Sequence, residues 1–231
     1  MKYILSLILF SFTFLLFSQN ETEEQESLVD AEYKEDQFYI GVSYNLLSKK
    51  PNNLSQSGFS IGAQLGRIFD FPLNEKRNFG LGIGVGYSLD FINHNLAIIE
   101  NNQNQTSYEI LDTDDFSRNR SSYHTIELPL EIRWRTSNAT SYKFWRIYGG
   151  VKFGYIIASN SKLKGNSGSF KVRGLSDLNK FQYGLTLSAG YDTWNAQIYY
   201  GLNSLFDDVK TTDGVTIDMQ LIKIGLIFYL L

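Results

Sequence analysis

The stretch FGLGIGVGYSLDF, residues 79–91, decides the fold of this chain. Every second residue from Phe79 to Phe91 is large and apolar, and the residues between them are glycine, serine or aspartate. Side chains alternate between the two faces of a β-strand, so a strand here has one apolar face and one small or polar face. A helix would spread the apolar side chains around all sides, and each glycine would destabilise it by about 1 kcal/mol. The stretch therefore predicts a β-strand.

Other segments of the chain repeat this alternation less perfectly. Their apolar rows lie in residues 38–46, 59–65, 126–134, 145–157, 181–191, 194–202 and 222–230. Counted with their flanking residues up to the predicted connections, most of these strands run for about 10–14 residues, which suits a tilted strand that needs about 9–11 residues to cross a membrane. Ahead of the last row, Ile217 and Met219 alternate in the opposite phase. This change of phase predicts a β-bulge near Leu221.

The predicted connections between strands alternate between short and longer ones. In chain order they span residues 48–57, 70–78, 93–122, 136–143, 158–179, 192–193 and 207–215. Short turns on one side and longer loops on the other are typical of outer-membrane barrels, whose short turns lie in the periplasm. We therefore predict an all-β fold, an antiparallel up-and-down transmembrane β-barrel of eight strands. Its predicted location is the outer membrane, with both the N- and the C-terminus in the periplasm.

The two faces of the strands distinguish this barrel from a soluble one, which shows the same period of two. The apolar face carries large residues in almost every row, and the interior of a barrel this narrow cannot hold them all. Turning that face outward to lipid removes the conflict. Trp134, Trp145 and Trp194 flank short connections, and tryptophan is favoured at the interface between membrane and water.

The N-terminal residues predict export. A positive residue, Lys2, precedes an apolar run that ends at Phe17, which is the layout of a signal peptide over residues 1–18. Residues 19–37 hold eight acidic side chains, so we expect a disordered acidic periplasmic segment there. The barrel is expected to occupy residues 38–231. No later apolar stretch is long enough for a transmembrane helix.

Composition and charge argue against several classes of function. The chain has no cysteine, which rules out disulfides, thiol catalysis and cysteine-ligated metals. Its net charge is -3 without a basic stripe in the sequence, so nucleic acid is not an expected partner. The GxGxG pattern at residues 82–86 lies within a predicted strand and no helix follows it, so it is not a nucleotide-binding fingerprint. No cofactor is predicted.

The strand positions that face the predicted lumen carry many charges. We call the following residues the lumen charge network: Glu127, Glu131, Arg133, Arg135, Arg146, Lys152 and Lys223. An unpaired buried charge is very costly, so opposite charges in a narrow lumen are expected to pair and fill it. A gated polar pathway or a carboxylate-based catalytic site is the alternative. Glu127 and Glu131 would lie about 13 Å apart along one strand, which is too far for a glycosidase pair. A structural network is therefore the favoured prediction, with Gly82 and Gly84 leaving space for the long charged chains.

The two histidines of the chain, His94 and His124, lie at the outer ends of the third and fourth predicted strands. A lipid-modifying hydrolase could combine a histidine at this rim with a serine and a carboxylate, and Ser121, Ser122 and Asp90 are nearby in sequence. No nucleophile motif surrounds them, so two surface histidines without a catalytic role are the favoured interpretation. Without a third obvious ligand, a zinc site is not predicted either.

Three segments carry a family resemblance: IELPLEIRW (126–134), IYGGVKFGY (147–155) and YGLTLSAGYD (183–192). Together with the closing strand they resemble the PorT-like outer-membrane β-barrel proteins of Bacteroidota, small barrels similar in shape to OmpA or OmpX, over residues 38–231. The Glu-Leu-Pro within a strand is the most distinctive part, because proline removes a hydrogen bond of the ladder. Some members of that family belong to the type IX protein-secretion apparatus. The resemblance implies no catalytic residues.

These observations leave three functions open. The first is a non-enzymatic integral outer-membrane barrel with a structural or loop-mediated binding role, whose partners are outer-membrane lipid and other envelope proteins. The second is transport, as an accessory of type IX-like secretion or as a narrow pore. The third and least favoured is an outer-membrane enzyme that modifies lipids.

Overall fold

The computed structural model describes residues 36–101, 105–112, 114–136, 144–166 and 168–230. The predicted signal peptide (1–18) and all but the end of the predicted acidic segment (19–37) lie outside the described residues. The strands in chain order are β1 (Gln37–Ser48), β2 (Ile61–Pro72), β3 (Phe79–Asn93), β4 (Leu96–Glu100), β5 (Thr106–Ile110), β6 (Phe116–Arg135), β7 (Trp145–Gly165), β8 (Gly168–Arg173), β9 (Phe181–Tyr191), β10 (Trp194–Gly201) and β11 (Gln220–Leu230). Within these ranges, no helix is long and apolar enough to cross a membrane.

Eight of the strands form one closed antiparallel barrel. Around the wall the order is β6, β3, β2, β1, β11, β10, β9 and β7, and pairing between β7 and β6 closes the ring. The first and last strands of the barrel are neighbours, with Phe38 opposite Leu230. The predicted fold class, an all-β antiparallel barrel of eight strands, is therefore confirmed.

The strands place apolar side chains outside the barrel and polar or small residues inside it. In β3, the large residues at the start of the strand are exposed and the glycines between them are buried. In β6, Ile132 is 57% exposed, whereas the next residue, Arg133, is 0% exposed. This mainly apolar outer band suits contact with lipid, where an exposed charge near the bilayer midplane would be costly. Arg67 is a charged exception on the outer face, and it lies near the turn rim opposite Phe38.

The barrel has two different rims. The turn rim carries the connections from β2 to β3, from β6 to β7 and from β9 to β10, and β1 begins and β11 ends there. The loop rim carries the other connections. The three tryptophans lie on the outer face at the turn rim; for example, Trp145 packs against Tyr191 with ring centroids 5.4 Å apart, and Trp194 against Phe228 at 4.9 Å.

Two of the predicted loops contain strands, which corrects their boundaries. β6 begins at Phe116 and β7 extends to Gly165, so their ladder continues beyond the loop rim, where β7 also pairs with β8. Within the connection from β3 to β6, β4 and β5 pair as a separate hairpin. The alternation in these extensions is carried largely by charged and polar side chains, so no apolar row reveals it in the sequence.

The predicted bulge near Leu221 is wrong. β1 and β11 pair without a shift of register up to Leu47 opposite Leu221. The change of phase has another cause, because β11 begins only at Gln220. The loop before it folds inward, and Ile217 and Met219 are buried there rather than in the barrel wall.

A shift of register does occur between β6 and β7. His124 lies opposite Ala158 and Thr125 opposite Ile156, so Ile157 is an extra residue in β7. One extra residue reverses which side chains face outward along the rest of a strand. Beyond this bulge, Lys162 is exposed while its neighbour Leu163 is buried at 4% exposure.

Candidate functional site

Asp70 occupies the half of the lumen nearer the turn rim and binds two arginines. Arg133 Nη1 donates to Asp70 Oδ1 at 2.9 Å. Arg135 donates to both carboxylate oxygens of Asp70, at 2.8 Å and 2.7 Å. Arg135 Nε also donates to the carbonyl oxygen of Arg77 at 2.9 Å, and Arg133 donates to the side chain of Gln37. All the charged side chains here are buried, so these are short, charge-assisted contacts in a setting that excludes water.

Glu127 occupies the other half of the lumen and binds two lysines. Lys152 Nζ lies 2.9 Å from one Glu127 oxygen, and Lys223 Nζ lies 3.5 Å from the other. Lys223 Nζ also lies 2.6 Å from Asp90 Oδ2. Asn45 Nδ2 donates to Asp90 Oδ1 at 3.0 Å. The result is a continuous row of alternating charges that runs from β7 through β6 and β11 to β3.

An aromatic layer lies beside these two groups. It consists of three tyrosines, Tyr39, Tyr148 and Tyr229, together with two isoleucines, Ile68 and Ile227. The Arg133 guanidinium lies 4.1 Å from the centroid of the Tyr148 ring, which adds a cation–π contact to its ion pair. The glycines of β3 make room for these groups, since a Cβ at Gly82 would lie 2.7 Å from Arg133 Cδ. The alternating glycines of this strand therefore serve the packing of the lumen.

The space left between the charged groups is small. A cavity of about 30 Å³ is bounded by Glu127, Lys152, Lys223 and their neighbours. That volume has room for little more than a water molecule. The arrangement can hold bound water, but it leaves no room there for a larger solute.

The loop rim is covered by a second apolar core, built from the long connections. It consists of Leu47, Leu54, Ile92, Leu96, Ile98, Tyr108, Tyr123, Ile156, Val172, Leu175, Leu178, Leu205, Phe206, Val209, Ile217, Met219 and Leu221. Asn95 ties two connections together, because its side chain accepts from the Ser55 N–H at 2.7 Å and donates to the Leu111 carbonyl oxygen at 2.9 Å. Tyr108 donates to Asp177 at 3.0 Å. We call this covering the loop cap.

His94 belongs to the loop cap, and the expectation that it lies on the surface is wrong. It is 2% exposed. Its Nδ1 accepts from the Leu96 N–H at 3.2 Å, so Nε2 carries the proton and donates to Ser121 Oγ at 2.9 Å. A histidine that activates a serine needs the opposite arrangement, with its free nitrogen accepting from the hydroxyl. His124 is partly exposed and hydrogen-bonds the Tyr87 hydroxyl through Nδ1.

Burial lowers the pKa of His94 from 6.5 to about 4, because the buried side chain loses the hydration that favours its charged form. An opened cap would return the pKa to its ordinary value, so between pH 6.5 and 4 the open state binds more protons than the closed one. Cap stability is therefore complete above this window and is lost as the pH falls through it. We expect the equilibrium constant for opening of the loop cap to be about 20-fold larger at pH 5 than at pH 7.

Hydrogen exchange of the Leu96 amide, corrected for the intrinsic exchange rate at each pH, measures this opening. His94→Gln is the control, since it removes the titrating group at similar size. An equally strong pH dependence in His94→Gln would show that another group is responsible.

The structure places all seven residues of the lumen charge network on the inner side of the wall, but in separate groups. Arg146 stands apart from Glu127 and Glu131; its guanidinium lies 4.3 Å from the Phe144 ring centroid and donates to the Asp192 carbonyl oxygen. Glu131 lies beside Arg133, with 3.9 Å between Oε2 and Nε.

Two acids at the centre of the site are absent from the predicted network. Asp90 is predicted on the polar face of residues 79–91, but it is not among the seven residues of the network. Asp70 falls in a predicted turn, because the apolar row of the second strand ends at Leu65. Phe69 and Phe71 continue that row in the structure, at 41% and 49% exposure, and their spacing is the signal that places Asp70 on the inner face.

The geometry is that of a membrane barrel with a filled interior, and a comparison with known families agrees. The family described as "Outer membrane protein beta-barrel domain" matches residues 17–207. The chain belongs to this family. As an outer membrane protein beta-barrel it is an integral protein of the outer membrane, and its exposed apolar band is the surface in contact with lipid. Comparison with curated proteins finds no match. Among the residues that the structure describes, no three His, Asp or Glu side chains are grouped to hold a metal ion.

Proposed function

We propose that this outer membrane protein beta-barrel is not an enzyme and does not conduct, and that its role is structural or is carried by binding at the loop rim. The filled lumen is the observation that carries the proposal. Charged groups joined at 2.6–2.9 Å occupy the interior, and the loop cap covers one end with a buried apolar core. Opening a path would require breaking buried ion pairs, which is strongly unfavourable.

The side chains near His94 support the absence of hydrolase activity. Ser121 is buried and receives its hydrogen bond from the histidine, which is the wrong direction for activation. Asp90 contacts Lys223 and Asn45 and does not orient the histidine. These contacts favour a binding or structural barrel over an enzyme that modifies lipids.

A role as an accessory of protein secretion is the second candidate. The resemblance of residues 126–134, 147–155 and 183–192 to PorT-like barrels favours it. An accessory needs no open pore, so the filled lumen is compatible with this role. Its contacts would be with other envelope proteins, and membrane pull-downs under mild detergent test for them.

Electrical recording in a planar bilayer tests the non-conducting proposal. We expect no current steps above those of the bare bilayer, because buried ion pairs fill the lumen of the described barrel and the cavity between Glu127, Lys152 and Lys223 holds only about 30 Å³. The protein used must be folded, and a gel shift between unboiled and boiled samples checks this. Reproducible steps from such a sample would favour the narrow pore instead.

We further propose that the loop rim faces the exterior and the turn rim the periplasm, with both termini periplasmic. The chain has no cysteine, so a single introduced cysteine reports its own position. Ser176→Cys, in the connection from β8 to β9, is expected to react with an impermeant maleimide on intact cells. Glu75→Cys, in the turn from β2 to β3, is expected to react only after the outer membrane is opened. The reverse pattern would refute the orientation. The same labelling test applies to Asn104 in the predicted loop 93–122 and to Ser141 in the predicted turn 136–143. Both residues lie outside the described residues.

A further inference from the structure

Six cations lie together on the outer face of the sheet where β6, β7 and β8 extend past the loop rim. They are Arg118, Arg120, Lys162, Lys164, Lys171 and Arg173, and we call them the basic patch. Arg120 lies opposite Lys162, and Lys162 lies opposite Lys171 on its other side. Arg118 lies opposite Lys164. The sequence does not show the patch as a run of basic residues, because its members come from three separate segments.

The β7 bulge creates the patch. Below it, Tyr155 and Ile157 are exposed at 52% and 56% as part of the lipid-facing band. The extra residue reverses the alternation, so Lys162 and Lys164 point outward instead of into the loop cap. The same shift brings them into line with the outward arginines of β6.

This arrangement opposes folding unless something neutralises it. Like charges directly opposite each other on paired strands are destabilising. None of the salt bridges among the described residues involves any of the six cations. Arg120 has neutral partners, the Asn93 side chain at 2.9 Å and the Phe91 ring at 5.6 Å. Partial loss of hydration, followed by the charges of Arg173 and Lys162, lowers the pKa of Lys171.

The height of the patch relative to the membrane points to its partner. Lys162 is four residues beyond Ala158, about 13 Å along the strand and about 10 Å above the apolar band when the usual barrel tilt is allowed for. The polar headgroup layer is about 5–8 Å thick on each side of the hydrocarbon, so the long side chains of the patch reach it by bending toward the membrane. A cleft of about 260 Å³ lies between Phe91 and the cations Arg118, Arg120, Lys162 and Lys164. It offers converging cations beside a ring, directly above the surface that touches acyl chains.

We propose that the basic patch binds the phosphorylated headgroup of a glycolipid in the outer leaflet. Arginine guanidinium groups pair with phosphate through two hydrogen bonds at once, and lysines add compact charge around them. The acyl chains of the same lipid then lie against Tyr155 and Ile157 below. The proposal rests on the proposed orientation, with the loop rim outside.

The test compares two double charge reversals in the full-length protein, purified in neutral detergent micelles. Lys162→Glu with Lys164→Glu acts within the patch. Lys50→Glu with Lys210→Glu makes the same change of net charge at exposed lysines elsewhere on the loop rim. The probes are lipid A with two phosphates, the same lipid after dephosphorylation, and inorganic phosphate alone. Bound lipid is quantified by native mass spectrometry across a titration.

We expect the patch variant to bind diphosphorylated lipid A at least about 30-fold more weakly, since each lost cation near an anionic lipid costs about a five-fold loss of affinity and the introduced glutamates add repulsion. The control variant is expected to bind as the wild type does, and dephosphorylated lipid to bind weakly to all three. The patch variant is expected to fold at least as stably as the wild type, because Lys162→Glu and Lys164→Glu replace repulsion from Arg120 and Arg118 with attraction.

Equal binding by the patch variant and the wild type would overturn the proposal, and so would equal losses in both variants. Saturation by inorganic phosphate at the concentration that saturates with lipid A would overturn it in favour of a free anion. Micelles have no sidedness, so a failure in this experiment leaves the proposed orientation standing. A periplasmic position for Ser176→Cys would overturn the outer-leaflet assignment without altering the micelle result.

Discussion

Replacing Asp70 with asparagine is expected to lower the free energy of unfolding by about 3–5 kcal/mol, the cost of breaking a buried ion pair from one side. Asp70 contacts both Arg133 and Arg135 at 2.7–2.9 Å, and the three side chains are buried. Asparagine keeps the shape of the side chain but loses its charge and one acceptor. Both guanidinium groups then keep their positive charges in a water-excluded setting without their shared carboxylate.

Equilibrium unfolding in urea, with the protein in lipid vesicles, measures this change. Glu75→Gln is the matched control, because it also removes one carboxylate near the turn rim, but from an exposed position. A change within about 0.5 kcal/mol is expected for it, as for surface substitutions in general. If Asp70→Asn is as mild as Glu75→Gln, the ion pairs of Arg133 and Arg135 with Asp70 do not stabilise the barrel.

Leu128→Arg is expected to destabilise the barrel by about 2–4 kcal/mol, the cost of a cation at the bilayer midplane. Leu128 lies in the middle of the outer face of β6 and is 51% exposed. An arginine there must either stay in the hydrocarbon or bend a long way to reach a headgroup. Leu202→Arg is the depth control, since Leu202 follows β10 at the loop rim and is 40% exposed. Near the interface the same substitution costs about 0–1 kcal/mol.

The same unfolding experiment in lipid vesicles tests whether Leu128 lies deeper in the membrane than Leu202. Equal, large effects at both positions would place Leu202 deeper than its position at the strand end indicates. If Leu128→Arg is tolerated while Glu127→Leu is stabilising, the two faces of the wall are inverted with respect to lipid. Such a result would contradict the outer apolar band directly.

The barrel strands are predictable from sequence because lipid outside and a packed lumen inside leave a period-two signal. The stretch from Phe79 to Phe91 shows that signal in its clearest form. Beyond the membrane the constraint weakens, since a strand in water has no need for a continuous apolar row. This is why the ends of β6 and β7 escape prediction even though they pair from Phe116 to Gly165.

The residues of the lumen are predictable, but their partners are not. Parity along a strand assigns Glu127 and Lys152 to the inside, whereas the pairing of charges depends on which strands face each other across the barrel. Asp70 and Arg133 are 63 residues apart in sequence, and β3 separates their strands in the wall. No local sequence pattern predicts that these two residues pair. The buried position of His94 depends in the same way on loops that close only in three dimensions.

Several lumen contacts connect strands that are not neighbours in the wall. Asp70 on β2 reaches over β3 to β6, and Lys223 on β11 reaches β3 and β6. These ion pairs therefore link opposite parts of the barrel wall through the lumen. Pulled mechanically from its C-terminal end, β11 would not peel away as a single strand, because Lys223 would carry the load to the opposite wall. Extraction from the membrane then becomes a cooperative event of the whole ring rather than a strand-by-strand unzipping.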